Sequence, residues 1–256
     1  MTSPRSGSAG HDPADVTEVA QPQAGPASLE NHLGGAAGQK YRKYQFDLIQ
    51  PYVGRSLLEI GSGLGDFSAQ FEDRLEYLVV TDSDTYCVEQ LTDRYEGRDD
   101  VDVLELALPG EIKIRQKVDT VIMMNVLEHI ADDSQALRDL AACLDPKGHL
   151  IIWVPGYQRL YGDFDRLVGH HRRYTPATLR AVVEASGLIP QVCKPVNFLG
   201  GIAWWLAVRR LGVGHASTGL VSLYDATVVP ATRILERAFH PPFGQSVLCV
   251  ATLPSR

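Results

Sequence analysis

Two groups of residues in this chain are suited to chemistry. The first is Gly61-x-Gly63-x-Gly65, preceded by Glu59 and followed further on by Asp82-Ser83. Glycines let the backbone turn tightly and let a ligand approach the peptide plane. A helix start behind such a loop offers unpaired N–H groups. A dinucleotide pyrophosphate is read by G-x-G-x-x-G. Here the third glycine comes one residue early, and Asp66 stands where that fingerprint has its last glycine, an anion facing a diphosphate. Glu59 is also a better neighbour for a cation than for an anion. Asp82 stands at the end of the next expected strand, where a carboxylate can accept both hydroxyls of a ribose. These groups fit a ribose-bearing, positively charged nucleoside such as S-adenosylmethionine (SAM), and they speak against an NAD-dependent oxidoreductase.

The second group is Tyr161-Gly162-Asp163-Phe164-Asp165-Arg166-Leu167-Val168-Gly169-His170-His171-Arg172-Arg173-Tyr174-Thr175. Histidine can be neutral near pH 7 and accept a proton. His170 is therefore the first candidate for a general base, with Asp165 orienting its ring; the bland alternative is a contact that pins a long loop. Arg172 and Arg173 can bind an acidic acceptor through the guanidinium fork, or pair with Asp163 and Asp165. Tyr174 either lines an acceptor pocket or packs. His129, expected at the carboxyl end of a sheet, is a second catalytic candidate or a turn cap. Trp204 lies in an apolar run, 198–206, that reads as a core helix, as the wall of an apolar acceptor pocket, or as a weak membrane-surface contact aided by Arg209 and Arg210. No cluster with metal-ligand spacing is evident, so metal-independent chemistry is expected.

These groups need elements to position them. Tyr41, Tyr44, Leu48 and Ile49 have helical spacing, ended by Pro51. A strand over 56–60 runs into the glycine loop, and a helix is expected from Asp66. Further strands are expected over 78–81, 101–106, 118–124 and 150–154. Leu137, Leu140, Ala141 and Leu144 mark a helix, followed by a turn at Pro146-Lys147-Gly148. Asp82-Ser83-Asp84 can cap one helix, and Thr175-Pro176 opens another that Gly187 ends. An apolar segment over 198–211, a helical stretch over 220–239 and a last strand over 246–253 complete the chain. Alternating strands and helices call for an α/β fold, a doubly wound, mostly parallel sheet.

Length and composition agree. The chain has 256 residues, enough for one α/β domain, with ordinary globular hydrophobicity of 45%. Its net charge of −7 argues against phosphate-backbone binding and against strong attraction to anionic lipid. The four cysteines, Cys87, Cys143, Cys193 and Cys249, form no C-x-x-C and read as reduced thiols of a cytoplasmic protein. The longest uncharged apolar stretch, 195–208, is too short to span a bilayer as a helix. Residues 1–30, rich in Ser, Pro, Gly and Ala, are expected to form a disordered tail. The remainder, 31–256, reads as a single domain with a cap from 31–50 and 156–220.

The segments LLEIGSGLGDFS, VVTDSD, VIMMNVLEHI and LAACLDPKGHLIIWVP together resemble the class I SAM-dependent methyltransferases, in order, from Tyr41 to Pro155. The stretch 161–175 resembles the G-H-x-R-R-Y-T loop of one subset, and the likeness continues through NFLGGIAWW and PPFGQS. The resemblance implies a Rossmann-like fold and methyl transfer from SAM, leaving S-adenosylhomocysteine. It places Glu59, Gly61, Gly63 and Gly65 at the methionine part, Asp82 at the ribose, Asn125 near the amino-acid end, and Leu106 and Ala107 beside the adenine, with Tyr41, Ser62, Ser83 and Val126 completing the cofactor set. Many relatives have an aspartate where this chain has Ala107, so adenine would rest on backbone groups and apolar packing. The expected acceptor is a small, largely apolar molecule with an O, N or C nucleophile. A non-catalytic SAM-binding regulatory module is the alternative. A nucleic-acid substrate is disfavoured, since Asn125-Val126-Leu127 stands where amino-methylating DNA enzymes carry Asn/Asp-Pro-Pro-Tyr.

Overall fold

A computed structural model describes residues 38–210 and 218–254. The expected tail at 1–30 lies outside them, as does 31–37 of the expected cap. The strands are β1 (Ser56–Ile60), β2 (Tyr77–Asp82), β3 (Val101–Glu105), β4 (Val118–Met124), β5 (Leu144–Pro155), β6 (Ile189–Val196) and β7 (Ser246–Thr252). They form one sheet in the order β3-β2-β1-β4-β5-β7-β6. β7 runs antiparallel to both its neighbours, and the other adjacent pairs are parallel.

The helices are α1 (Gln39–Ile49), α2 (Thr85–Arg94), α3 (Asp133–Cys143), α4 (Asp163–Leu167), α5 (Pro176–Ala185), α6 (Phe198–Arg210), α7 (Thr218–Leu223) and α8 (Val229–Ala238). A π-helical turn, Tyr224–Val228, joins the last two. Successive strand residues point to opposite faces, which divides the core in two. Leu58, Val121 and Met123 pack with Leu137 and Leu140 of α3 and Leu179 and Val183 of α5. Leu57, Ile122 and Trp153 pack on the other face with Tyr44 and Ile49 of α1, Phe71, and Leu91 of α2.

Several local expectations hold in detail. Asp84 caps α2 by accepting from Tyr86 N at 3.0 Å. Thr175 and Thr178 exchange hydrogen bonds in a capping box at the start of α5. Others need correction. The helix expected from Asp66 is two 3-10 turns, Ser68–Gln70 and Glu72–Arg74. Ser68 is buried there and donates its hydroxyl to Gly65 O at 3.4 Å, a side-chain bond that competes with α-helical pairing. Leu144 ends no helix: it opens β5 and pairs with Val118, and 146–148 lies inside that strand beside a register shift. β6 was not expected, because Pro190 and Pro195 interrupt it. It survives as the edge strand, where a missing N–H costs least. α5 and β6 therefore belong to the layers of the sheet, although the expected cap at 156–220 included them. Cys193 and Cys249, distant in sequence, face each other in register across β6 and β7, unbridged. Among the described residues, no helix is long and apolar enough to cross a membrane.

α1 reaches the sheet with no side-chain cap from its own N-cap residue. Asp225, in the π turn, does this work from afar: its carboxylate accepts from Lys40 N at 3.0 Å and Tyr41 N at 2.8 Å. Replacing Asp225 by Ala should cost roughly 1–2 kcal/mol of stability, the usual range for a lost cap. A urea titration followed by circular dichroism will show it as a lower midpoint with an unchanged slope.

Candidate active site

β1 and β4 are adjacent, and the chain leaves them toward opposite faces of the sheet. Their carboxyl ends thus flank the crevice in which open α/β sheets bind ligands. β1 delivers Glu59 and then the glycine loop, whose Gly61, Gly63 and Gly65 have φ of 68°, 56° and 79°. Only glycine adopts these angles at little cost. Space is also short: a Cβ on Gly61 would lie 2.5 Å from Val126 Cγ2. The loop is tied to β2, with Ser62 N donating to Thr81 O at 2.7 Å and Gly63 N to Asp82 Oδ2 at 2.9 Å.

Asp82 is buried, and its second oxygen accepts from Asp84 N at 2.9 Å. Each carboxylate oxygen keeps a further lone pair for a ligand hydroxyl. Leu106 N donates to Asp82 O at 2.8 Å, which brings the end of β3 to the same edge. Ser83 and Ala107 are exposed beside it, and Leu106 is half-buried. Asn125 follows β4 with φ 53°, a left-handed conformation that Asn tolerates better than most residues, and its N–H donates to Trp153 O at 2.7 Å. Tyr41 packs among Tyr44, Trp153 and Tyr224, and burial raises its phenol pKa.

Glu59 is the electrostatic centre of this crevice. It is 2% exposed, and its Oε2 has no hydrogen-bond partner. Burial lifts its carboxyl to about 7; the Asp82 charge adds to the rise, and Ser68 and Ser62 oppose it. A buried acceptor without a donor is costly, and an incoming ammonium group would relieve that cost. The expectation for Asp66 changes. Its carboxylate is exposed and lies 3.3 Å from Arg94 and 3.7 Å from Arg42, so the arginines offset its charge. A buried acid beside left-handed glycines, and a carboxylate with spare acceptor capacity, fit a cationic ribonucleoside.

The family comparison agrees with that geometry. A family model described as a methyltransferase domain matches residues 36–189. The chain belongs to this methyltransferase family. It is a class I SAM-dependent methyltransferase, with SAM as its cofactor. A curated relative, the "Probable S-adenosylmethionine-dependent methyltransferase/" of Mycolicibacterium smegmatis (strain ATCC 700084 / mc(2)155), is 27% identical over 178 residues, 66% of this chain and 67% of the relative. Among solved structures, the [4+2]-cyclase SpnF has a TM-score of 0.57 at 19% identity, covering 87% of this chain and 84% of that one. A SAM-dependent methyltransferase from Clostridium acetobutylicum ATCC 824 has 0.55 at 9% identity, covering 84% and 91%. These likenesses are of fold.

The residues expected on the acceptor side come from 156–175, a segment tied back to the sheet by a bridge between Gly156 and Tyr174. Asp165, fully buried, lies at the middle of this segment. Its Oδ1 is 2.7 Å from His170 Nδ1 and accepts from Arg173 Nε at 2.7 Å. Its Oδ2 accepts from Arg173 Nη2 at 3.0 Å and from Gly162 N at 2.8 Å. These bonds and the surrounding cations keep the Asp165 carboxyl below its ordinary pKa despite burial.

Arg173 is thus held inside the protein rather than turned to an acceptor. Tyr174 is 2% exposed and donates to Asp133 Oδ2 at 2.8 Å, so it packs instead of lining a pocket. Arg172 also binds Asp133, at 2.8 Å, and not Asp163. Trp204 is half-buried, with Arg173 5.4 Å from its ring centroid, Phe164 at 5.5 Å edge-on, and its Nε1 donating to Leu160 O at 3.2 Å. His129 and His170, far apart in sequence, lie 4.6 Å apart ring to ring.

The sequence reading missed Glu128, which is fully buried with Oε1 3.9 Å from His170 Nε2. Glu128, His129 and His170 bring ligand atoms within 4.8 Å of one another, a grouping that spacing along the chain does not reveal. The adjacent Glu-His pair was visible in the sequence, but nothing there placed His170 against it.

The raised pKa of Glu59 has a defined consequence. Its folded value, about 7, exceeds its ordinary 4.5. Between these values the folded chain holds a proton that the unfolded chain has released, so stability falls as pH rises through this window. Thermal midpoints of the SAM-free protein should decline from about pH 4.5 to about pH 7, and Glu59→Gln should flatten that decline.

Proposed function

We propose that this methyltransferase transfers the methyl group of SAM to an O, N or C nucleophile of a small, largely apolar acceptor. When bound, SAM supplies an electrophilic methyl group on its sulfonium. In this reading Glu59 and the glycine loop hold the cationic methionine end, Asp82 takes the ribose, and Leu106 and Ala107 flank the adenine. Asn125 and Val126 form the floor between β1 and β4.

The observation that carries the acceptor reading is the paired His129 and His170, with Phe164 edge-on to His170 and Trp204 edge-on to Phe164. Alignment and exclusion of water are the main demands of an in-line methyl displacement. The aromatic rings would serve the second demand. For a hydroxyl or carbon acid, a proton acceptor is also needed, and in this reading His170 takes that role. Asp165 orients its ring through Nδ1 and leaves Nε2 as the basic nitrogen. The exposed apolar side chains of α6, Ile202, Trp205 and Leu206, are the ones that a weak membrane-surface contact would use.

The test uses SAM labelled in its methyl group, incubated with the protein and an extract of its host cells, then partitioned between organic solvent and water. Protein-dependent label in the organic phase is the expected result; label confined to water would sink the apolar acceptor. Once an acceptor is identified, His170→Ala should lower turnover by roughly 10²–10⁴-fold, the scale of lost acid–base catalysis. Calorimetry on the same variant should show SAM affinity retained.

A further inference from the structure

We propose that Glu128, His129 and His170 form a binding site for one divalent transition-metal cation at the acceptor side of the cofactor crevice. Glu128 and His129 are consecutive in the 3-10 turn Leu127–His129 that follows β4, and His170 reaches them from the 156–175 segment. His171 N donates to Glu128 O at 2.8 Å and Tyr161 OH to His170 O at 2.8 Å, so backbone bonds fix the juxtaposition. The two histidine rings are nearly perpendicular, at 78°, and His170 Nε2 lies 3.9 Å from Glu128 Oε1.

Three further features favour a cation. The first is the contact of His170 Nδ1 with the Asp165 carboxylate at 2.7 Å, which sets Nε2 toward Glu128. A carboxylate behind a histidine is the usual support of a metal-ligating imidazole. The second is the rigidity of that carboxylate, which Arg173 and Gly162 also hold. The third is the donor set. Two imidazoles and one carboxylate match a three-ligand site of the catalytic kind, which keeps one position open. Nitrogen donors also select zinc-like ions over magnesium or calcium. Bonds of about 2.0–2.2 Å place tetrahedral ligand atoms about 3.4 Å apart. Small rotations of Glu128 and His129 would close the present spacing to that value.

A cation held there would keep one position for an acceptor atom. Resting on the methyl-transfer reading above, the cation would hold an acceptor oxygen, a hydroxyl or enol, and lower its pKa so that its proton passes to water. His170 would then be a ligand rather than the base.

The experiment uses the full chain, stripped with a chelator and titrated with Co²⁺ alone. The expected result is one Co²⁺ per chain, with the visible absorption of a tetrahedral site that Zn²⁺ displaces. Half-buried His129 is the safest position to change; His129→Asn and the isosteric Glu128→Gln should each weaken binding by at least 100-fold. SAM binding, measured on every sample, reports whether the fold and cofactor crevice are intact. Wild-type protein that binds SAM but neither Co²⁺ nor Zn²⁺ would overturn the site, as would equal metal binding by wild type and both variants. If the site binds metal but metal-free enzyme methylates its acceptor at full rate, the acceptor-oxygen role falls and the site stands. If the metal-loaded protein methylates no acceptor, the methyl-transfer reading is what fails.

Discussion

The site depends on the adjacency of two parallel strands, β1 and β4, whose following segments depart to opposite faces. That divergence opens a crevice at the carboxyl edge, and polar side chains can enter it without disturbing either core layer. Glu59 from β1, Asp82 from β2 and Asn125 after β4 all arrive there because strand register brings them to one edge: Ile60 sits opposite both Thr81 and Met123. The glycines keep the crevice open. A side chain at Gly61 would run into Val126 on the opposite wall.

Charge burial is handled differently on the two sides of the crevice. In the 156–175 segment, Asp165 is satisfied by a guanidinium, an imidazole and a backbone amide, so its carboxyl is held low despite burial. Removing one partner of a buried ion pair typically costs about 3–5 kcal/mol, which makes Asp165 a fixed point for the whole 156–175 segment. Beside the glycine loop, Glu59 is raised to about 7 because burial outweighs the hydrogen bonds of Ser68 and Ser62. The fold thus satisfies one buried acid completely and leaves one oxygen of another without a hydrogen-bond donor.

Long-range ties hold the covering elements in place. Asp225 caps α1 from the far end of the chain, and Tyr44 OH donates to Glu236 of α8 at 2.5 Å. Asn197 N in turn donates to Tyr44 OH at 2.9 Å. α1, α8 and the turn after β6 are thereby joined through one phenol. Burial and the nearby Glu236 carboxylate both push that phenol well above the ordinary tyrosine range, so it stays a donor.

Local pattern determined much of this protein. Apolar runs marked β1, β2, β3 and β4, and short-range chemistry marked the caps at Asp84 and Thr175. The glycine spacing with Glu59 and Asp82 pointed to a cationic nucleoside, because these features depend on neighbours in the chain. Tertiary structure decided the rest. It placed the proline-interrupted β6 as an edge strand, since pairing with β7 supplies the ladder that its own sequence does not announce. It converted the helix expected after Asp66 into 3-10 turns around buried Ser68. It turned Arg173 and Tyr174 inward, because Asp165 and Asp133 lie close to them only in the folded chain. It also set Glu128 and His129 against His170. Spacing along a chain carries no record of which loop will fold over which turn, so the closeness of these three residues exists only once the sheet has brought its carboxyl edge together.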